Sequence, residues 1–100
     1  MGTRHLNAAF APASIAIAGA TDRPGSIGAQ VVRNVIGSFK GRLFGVNPRS
    51  PAIPGLDMHA RVADLPGTPD LAIIVTPPEM LLETAEAFAA KGAKAALVIT

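Results

Sequence analysis

Ten consecutive residues near the start of the chain have the makings of an anion site: Gly19-Ala20-Thr21-Asp22-Arg23-Pro24-Gly25-Ser26-Ile27-Gly28. Glycines let a backbone approach a phosphate closely. A helix opening at Ile27 would add free N–H groups and partial positive charge. Ser26 can cap that helix or donate to a phosphate oxygen, and Arg23 adds a full charge. The competing reading is a turn that merely needs glycine. The dinucleotide fingerprint G-x-G-x-x-G is absent, because five residues separate Gly19 from Gly25-Ser26-Ile27-Gly28. No Gly-Lys-Ser/Thr follows to make a P-loop.

Two further segments belong with that loop. Asn47-Pro48-Arg49 follows a run that reads as the second strand. NAD sites place an Asp or Glu at this point to hold the ribose 2′-hydroxyl. A cation there suits a phosphate on the ribose, as in NADP or coenzyme A, unless Arg49 is simply a solvated turn residue. Thr76-Pro77-Pro78-Glu79 lies between an apolar run and an amphipathic stretch. Thr76 is placed to N-cap a helix, with Pro77 at its first position and Glu79 completing a capping box. A buried strand entering a capped helix is half of a βαβ unit, and ligands bind at such strand ends.

No constellation of catalytic type emerges. His5 and His59 are the only histidines, and neither has carboxylates clustered near it in sequence. Both read as surface or structural residues. There is no cysteine, which excludes disulfides, cysteine metal sites and thiol catalysis. Glu79, Glu83 and Glu86 form one wet helix face, and Met58 and Met80 read as packing residues. Catalytic residues and a metal site are therefore not expected.

Alternating patterns supply the scaffold. Ser14 to Ala18 reads as a first strand, and Ile27 to Ile36 as a helix ended by Gly37. In that helix Ile27, Val31 and Val35 recur every four residues on the buried side. Arg42 to Val46 is a second strand, and Met58 to Arg61 a short third one. One helical turn is expected at Ala63-Asp64-Leu65. Leu71 to Val75 is a fourth strand, five consecutive apolar residues as in a strand buried on both faces. Pro77 to Lys91 reads as a second helix with Leu81, Ala85 and Phe88 inward and Gly92 as its C′ residue. Ala95 to Ile99 is a fifth strand. Right-handed crossovers then predict an α/β, Rossmann-like, doubly wound parallel sheet of order 3-2-1-4-5. Its switch point lies between the first and fourth strands, beside Gly19 and Thr76. Residues 1–12 read as a lead-in in which Leu6 and Phe10 can pack beneath the domain, which occupies residues 13–100. A parallel strand is normally followed by a covering helix. The sequence is thus expected to be an N-terminal piece of a longer protein, truncated after its fifth strand.

Composition agrees with a small folded domain: 49% of the residues are hydrophobic and 16% charged. The net charge of +2 is unevenly spread, with +5 in residues 1–50 and −3 in residues 51–100. The positive half holds the glycine loop, as an anionic ligand requires. Nucleic acid is not expected, because the cations are single and without interleaved aromatics. No apolar stretch approaches the roughly 20 residues of a membrane span. Arg4, the alanine-rich stretch and Ala18-Gly19-Ala20 imitate a signal peptide, but cleavage there would delete a strand. A cytoplasmic protein suits these features.

The run Phe10-Ala-Pro-Ala-Ser-Ile-Ala-Ile-Ala-Gly-Ala-Thr-Asp-Arg-Pro-Gly-Ser-Ile-Gly28 resembles the N-terminal CoA-binding domain of the ADP-forming acyl-CoA synthetases, relatives of the succinyl-CoA synthetase α-subunit. Phe44 to Pro48, Val62 to Pro66, Pro69 to Pro78 and Gly92 to Thr100 are similar in the same order. The resemblance implies coenzyme A as cofactor, with Arg23 to Ile27 around its phosphates and Arg49 where the family often has Lys. Thr76, Pro77 and Pro78 would border the nucleotide. Ala18 stands where bulkier aliphatics are common. The family's phosphorylated histidine lies in a later domain, and its ATP-grasp module later still or on another chain. Neither histidine here matches it. The parent reaction would be acyl-CoA + ADP + phosphate to acid + CoA + ATP, through an acyl phosphate and a phosphohistidine. This piece would bind CoA or acyl-CoA without catalysing alone. The same module occurs fused to lysine acetyltransferases, so a CoA-sensing regulatory domain is an alternative, and an NADP-binding oxidoreductase domain is another.

Overall fold

The computed structural model describes residues 12–99. The lead-in contacts expected of Leu6 and Phe10 lie outside these residues. Strand β1 (Ser14–Ala18) leads through the glycine loop into helix α1 (Ile27–Ser38), which returns to β2 (Arg42–Val46). A loop reaches the short β3 (Asp57–His59), and a 3₁₀ turn at Val62–Asp64 follows. Then come β4 (Leu71–Ile74), a 3₁₀ turn at Pro78–Met80, α2 (Leu81–Lys91) and β5 (Ala95–Val98). The five strands form one parallel sheet in the order β3-β2-β1-β4-β5, as the alternation of elements predicts.

Side chains alternate across that sheet and build two cores. On one face Ile15, Ile17 and Ile73 pack with Val32 of α1. On the other Ala16, Ala18 and Ala72 leave room for Phe88 of α2, joined by Phe44, Val62 and Leu65. Small residues on the strands and a large one on the helix fill the same layer, so Phe88 ends up 1% exposed. The sheet's lower edge is tied by Asp70. Its carboxylate accepts the Ala13 N–H at 2.8 Å and faces Lys94 Nζ at 3.7 Å. Its own N–H donates to Ser14 Oγ at 3.1 Å.

Several boundaries differ from the sequence reading for identifiable reasons. Helix α1 continues past Gly37 to Ser38, whose hydroxyl donates to Asn34 O at 2.8 Å. It stops at Phe39, which turns extended and packs against the α1-side core. Ile27 is 54% exposed, because it lines the open groove while its neighbours Gly28 and Ala29 are buried. Strand β3 is Asp57–His59 and not Met58 to Arg61, since its pairing ends where β2 ends, at the Val46–His59 pair. The capping box at Thr76 does not form. Pro77 is extended (φ −56°, ψ 150°), as a residue preceding a proline is biased to be, so the 3₁₀ turn starts only at Pro78. At the other end of α2, Gly92 is left-handed (φ 93°) and caps as expected, its N–H donating to Ala89 O at 3.0 Å.

Truncating a fully buried aromatic costs about 3–5 kcal/mol, a large part of a small domain's stability. Phe88→Ala is therefore expected to lower the midpoint of urea unfolding drastically or leave the chain unfolded. Leu82→Ala, on the same helix but 72% exposed, should shift it little.

Candidate functional site

The carboxyl ends of the strands open into a groove of about 1160 Å³ at the β1/β4 switch point. This is somewhat more than the roughly 300–1,000 Å³ of ordinary ligand pockets, and it suits an elongated ligand. Its floor is backbone. Gly19 donates its N–H to Val46 O at 2.9 Å and is left-handed (φ 90°). A Cβ on Gly19 would sit 3.0 Å from Val75 C, and one on Gly28 would sit 2.6 Å from Gly19 O. Two glycines thus let the loop after β1 lie flat between β4 and the first turn of α1. Ser26 caps α1, its Oγ accepting the Ala29 N–H at 3.2 Å and donating to Arg23 O at 2.7 Å.

Asn47 couples this loop to the next strand end. Its Nδ2 donates to Ala20 O at 2.9 Å, and its Oδ1 accepts the Arg49 N–H at 2.9 Å. The second bond is an Asx turn that sets where Arg49 leaves the backbone. On the far side of the groove, Thr76 Oγ1 is buried and has no hydrogen-bond partner among the described residues.

Of the residues singled out from sequence, Gly19, Thr21, Arg23, Ser26, Ile27 and Gly28 line the groove from the β1 side. Asn47, Pro48 and Arg49 line it from β2, and Thr76, Pro77 and Pro78 from β4. Ala20 and Gly25 do not. Ala20 is fully buried against the α1-side core and serves the loop through its carbonyl. Gly25 has φ 81° and only turns the chain. Sequence reasoning missed Arg61, Pro51 and Thr84, which also line the groove, and took Met80 for a packing residue although it is a 38% exposed lip. Asp22 and Glu83 place two carboxylates on the rim. His59 lies away from the groove on the edge strand, its Nε2 3.2 Å from Asp57 Oδ2 and its ring tilted against Phe44. Among the described residues no cluster of His, Cys, Asp or Glu could hold a metal ion, and no helix is long and apolar enough to cross a membrane.

Residues 13–100 match the CoA binding domain family over their whole span. The chain belongs to that family. It is 34% identical over 91 residues to the α-subunit of acetate–CoA ligase (ADP-forming) II of Pyrococcus furiosus, covering 91% of this chain and 20% of that protein. It is 33% identical over 88 residues to a trans-feruloyl-CoA synthase of an unknown prokaryote, covering 87% of this chain and 12% of that one. The chain thus spans between an eighth and a fifth of these relatives. Among solved structures it is similar to the dinucleotide-forming acetyl-coenzyme A synthetase 1 of Ca. Korarchaeum cryptofilum, described in complex with phosphate and ADP. That likeness has a TM-score of 0.88 and 35% identity, over 95% of this chain and 21% of that one. A conserved hypothetical protein of Pyrococcus furiosus has the same fold at a TM-score of 0.76 and 27% identity, over 86% of this chain and 73% of that one. The chain is homologous to the N-terminal part of ADP-forming acyl-CoA synthetases, and coenzyme A is the cofactor of its family.

The glycine geometry of this CoA-binding domain makes a prediction with an internal control. Gly28→Ala drives a Cβ onto the Gly19 carbonyl and should destabilise by about 1–3 kcal/mol. Gly37→Ala, in the same helix with nothing within 4 Å of the new Cβ, should stabilise by about 0.5–1 kcal/mol. Urea unfolding of both variants reads the two signs.

Proposed function

We propose that the groove holds the nucleotide end of coenzyme A. The glycine loop and the capped start of α1 face the pyrophosphate, Arg23 adds charge to that cradle, and Arg49 takes the phosphate on the ribose. Thr76, Pro77 and Pro78 border the ligand on the β4 side, the prolines giving an apolar wall. The cofactor's own chemistry is a thiol that carries an acyl group as a thioester. The chain's part is to bind and orient it. The observation that carries this reading is Arg49 at the end of β2, held by the Asn47 Asx turn where an NAD site needs a carboxylate.

The reading extends to a parent protein. A domain of this kind would serve an ADP-forming acyl-CoA synthetase, which converts acyl-CoA, ADP and phosphate to acid, CoA and ATP. Later domains or a second chain would supply the phosphorylated histidine and the ATP-binding module. Such a protein would work in the cytoplasm, with neither nucleic acid nor membrane as partner. The ligase relatives support it.

Calorimetry on the chain tests the cofactor. CoA should bind more tightly than NAD or NADP. A preference for NADP would favour an oxidoreductase domain. Arg49→Glu reverses a charge that faces phosphate, and charge-assisted hydrogen bonds are worth about 1.5–3 kcal/mol. CoA affinity should therefore fall roughly tenfold to a hundredfold. Dephospho-CoA, which lacks the ribose phosphate, should lose little, and the variant should bind the two about equally. Equal weakening of both would move Arg49 to the pyrophosphate. Unchanged binding of both would leave it a solvated turn residue.

A further inference from the structure

The turn that follows β2 hangs from one residue. Pro48 has no N–H, and the other two residues of the turn donate theirs to Asn47. Arg49 N–H meets Oδ1 at 2.9 Å, and Ser50 N–H meets the backbone O at 2.7 Å. Pro48, Arg49 and Ser50 are exposed, and Ser50 is left-handed (φ 45°), a conformation few residues other than glycine adopt. Asn47 itself is half-buried and tied to β3, its N–H donating to His59 O at 3.0 Å.

The other end of the same amide holds the glycine loop. Nδ2 donates to Ala20 O at 2.9 Å, 27 residues away in sequence, and Ala20 is fully buried. Two further bonds of this loop, Arg23 N–H to Thr21 Oγ1 at 3.2 Å and Ser26 N–H to Arg23 O at 3.3 Å, stay within it. The amide has one workable orientation. Turned over, it would set Oδ1 against the Ala20 carbonyl and Nδ2 against the Arg49 N–H. One planar group therefore spans from the loop that carries Arg23 to the turn that carries Arg49. Its oxygen and its nitrogen are both engaged inside the protein, which suits it to placing other groups.

We propose that Asn47 is a positioning residue that couples the two phosphate subsites. It fixes Arg49 relative to the glycine loop, and the preference for a ligand with a ribose phosphate depends on that link. This assignment rests on the coenzyme A reading and adds to it the residue that makes two anion-binding elements act together. A ligand that reaches both elements gains from their fixed spacing, because little ordering is left to be done on binding. A ligand that reaches only the loop gains little from it.

Calorimetry of CoA and dephospho-CoA on single and double variants tests the link. Asn47→Ser keeps an oxygen for the Arg49 N–H but is too short to reach Ala20 O. It should weaken CoA roughly three- to tenfold and dephospho-CoA less than about twofold, so the ratio of the two affinities falls. Asn47→Ala, which also loses the turn, should bring that ratio down to that of Arg49→Ala. In an Arg49→Ala background, Asn47→Ser should cost CoA less than about twofold, because the coupled partner is already gone. Thermal melts establish that each variant is folded at the titration temperature. If Asn47→Ser does not melt cooperatively, Asn47→Thr, whose β-branched side chain suits a strand end, takes its place with the same expectations. A lowered melting temperature with the parent's CoA to dephospho-CoA ratio would make Asn47 a purely structural residue and overturn the coupling. Losses that multiply in the double variant would overturn it too. A parent chain that fails to bind CoA, or binds both ligands equally, overturns the reading on which the coupling rests.

Discussion

The close approach of Gly28 to the carbonyl of Gly19 is the contact on which the site depends. It brings the first turn of α1 down onto the end of β1, and a single added Cβ would be 2.6 Å from that oxygen. The loop between them then has one course, along the mouth of the sheet. Asn47 fastens that course to β2 by donating to Ala20 O, and the same side chain sets the turn from which Arg49 emerges. A packing constraint at one pair of glycines is in this way converted into the relative placement of Ser26, Arg23 and Arg49. Interiors this tightly packed leave little room for gradual adjustment.

The groove has a polarity of its own. Arg49 and Arg61 stand at the β2–β3 end, Arg23 and the helix start in the middle, and Pro77, Pro78, Met80 and Ile99 toward β4 and β5. Cations and the N–H groups at the start of α1 therefore line one part of the groove and apolar surface another. Coenzyme A has the same division, with its phosphates and base at one end and its thiol-bearing arm at the other. Asp22 and Glu83 add two carboxylates to the lining.

Much of this was legible in the sequence, and the exceptions are instructive. Strand order followed from alternation alone, because right-handed crossovers leave few parallel topologies. The glycine loop is legible because a left-handed backbone at Gly19 and a close approach at Gly28 both require glycine, and the place of Arg49 because it follows the end of a strand. Thr76 was misread as a cap because Pro77 was weighed without Pro78, whose ring keeps its predecessor extended. Ile27 fits the buried stripe of α1, but periodicity cannot say that an open groove lies beside the start of that helix. Gly37 suggested a stop that Phe39 delays, since the helix ends where that ring meets the core. Arg61 was invisible because an arginine three residues before an aspartate looks like any solvated pair.

The central claim is that coenzyme A occupies the mouth of the sheet at the switch point and nowhere else on the chain. Titration of the ¹⁵N-labelled chain with CoA, followed by backbone amide shifts, tests it residue by residue. The account predicts saturable shifts at Gly19 to Gly28, at Asn47, Arg49 and Arg61, and at Thr76, with Asp70 and Lys94 at the opposite edge unmoved. Shifts concentrated around Asp70 and Lys94, or on the outer face of α2 at Leu82 and Glu86, with the glycine loop silent, would contradict it.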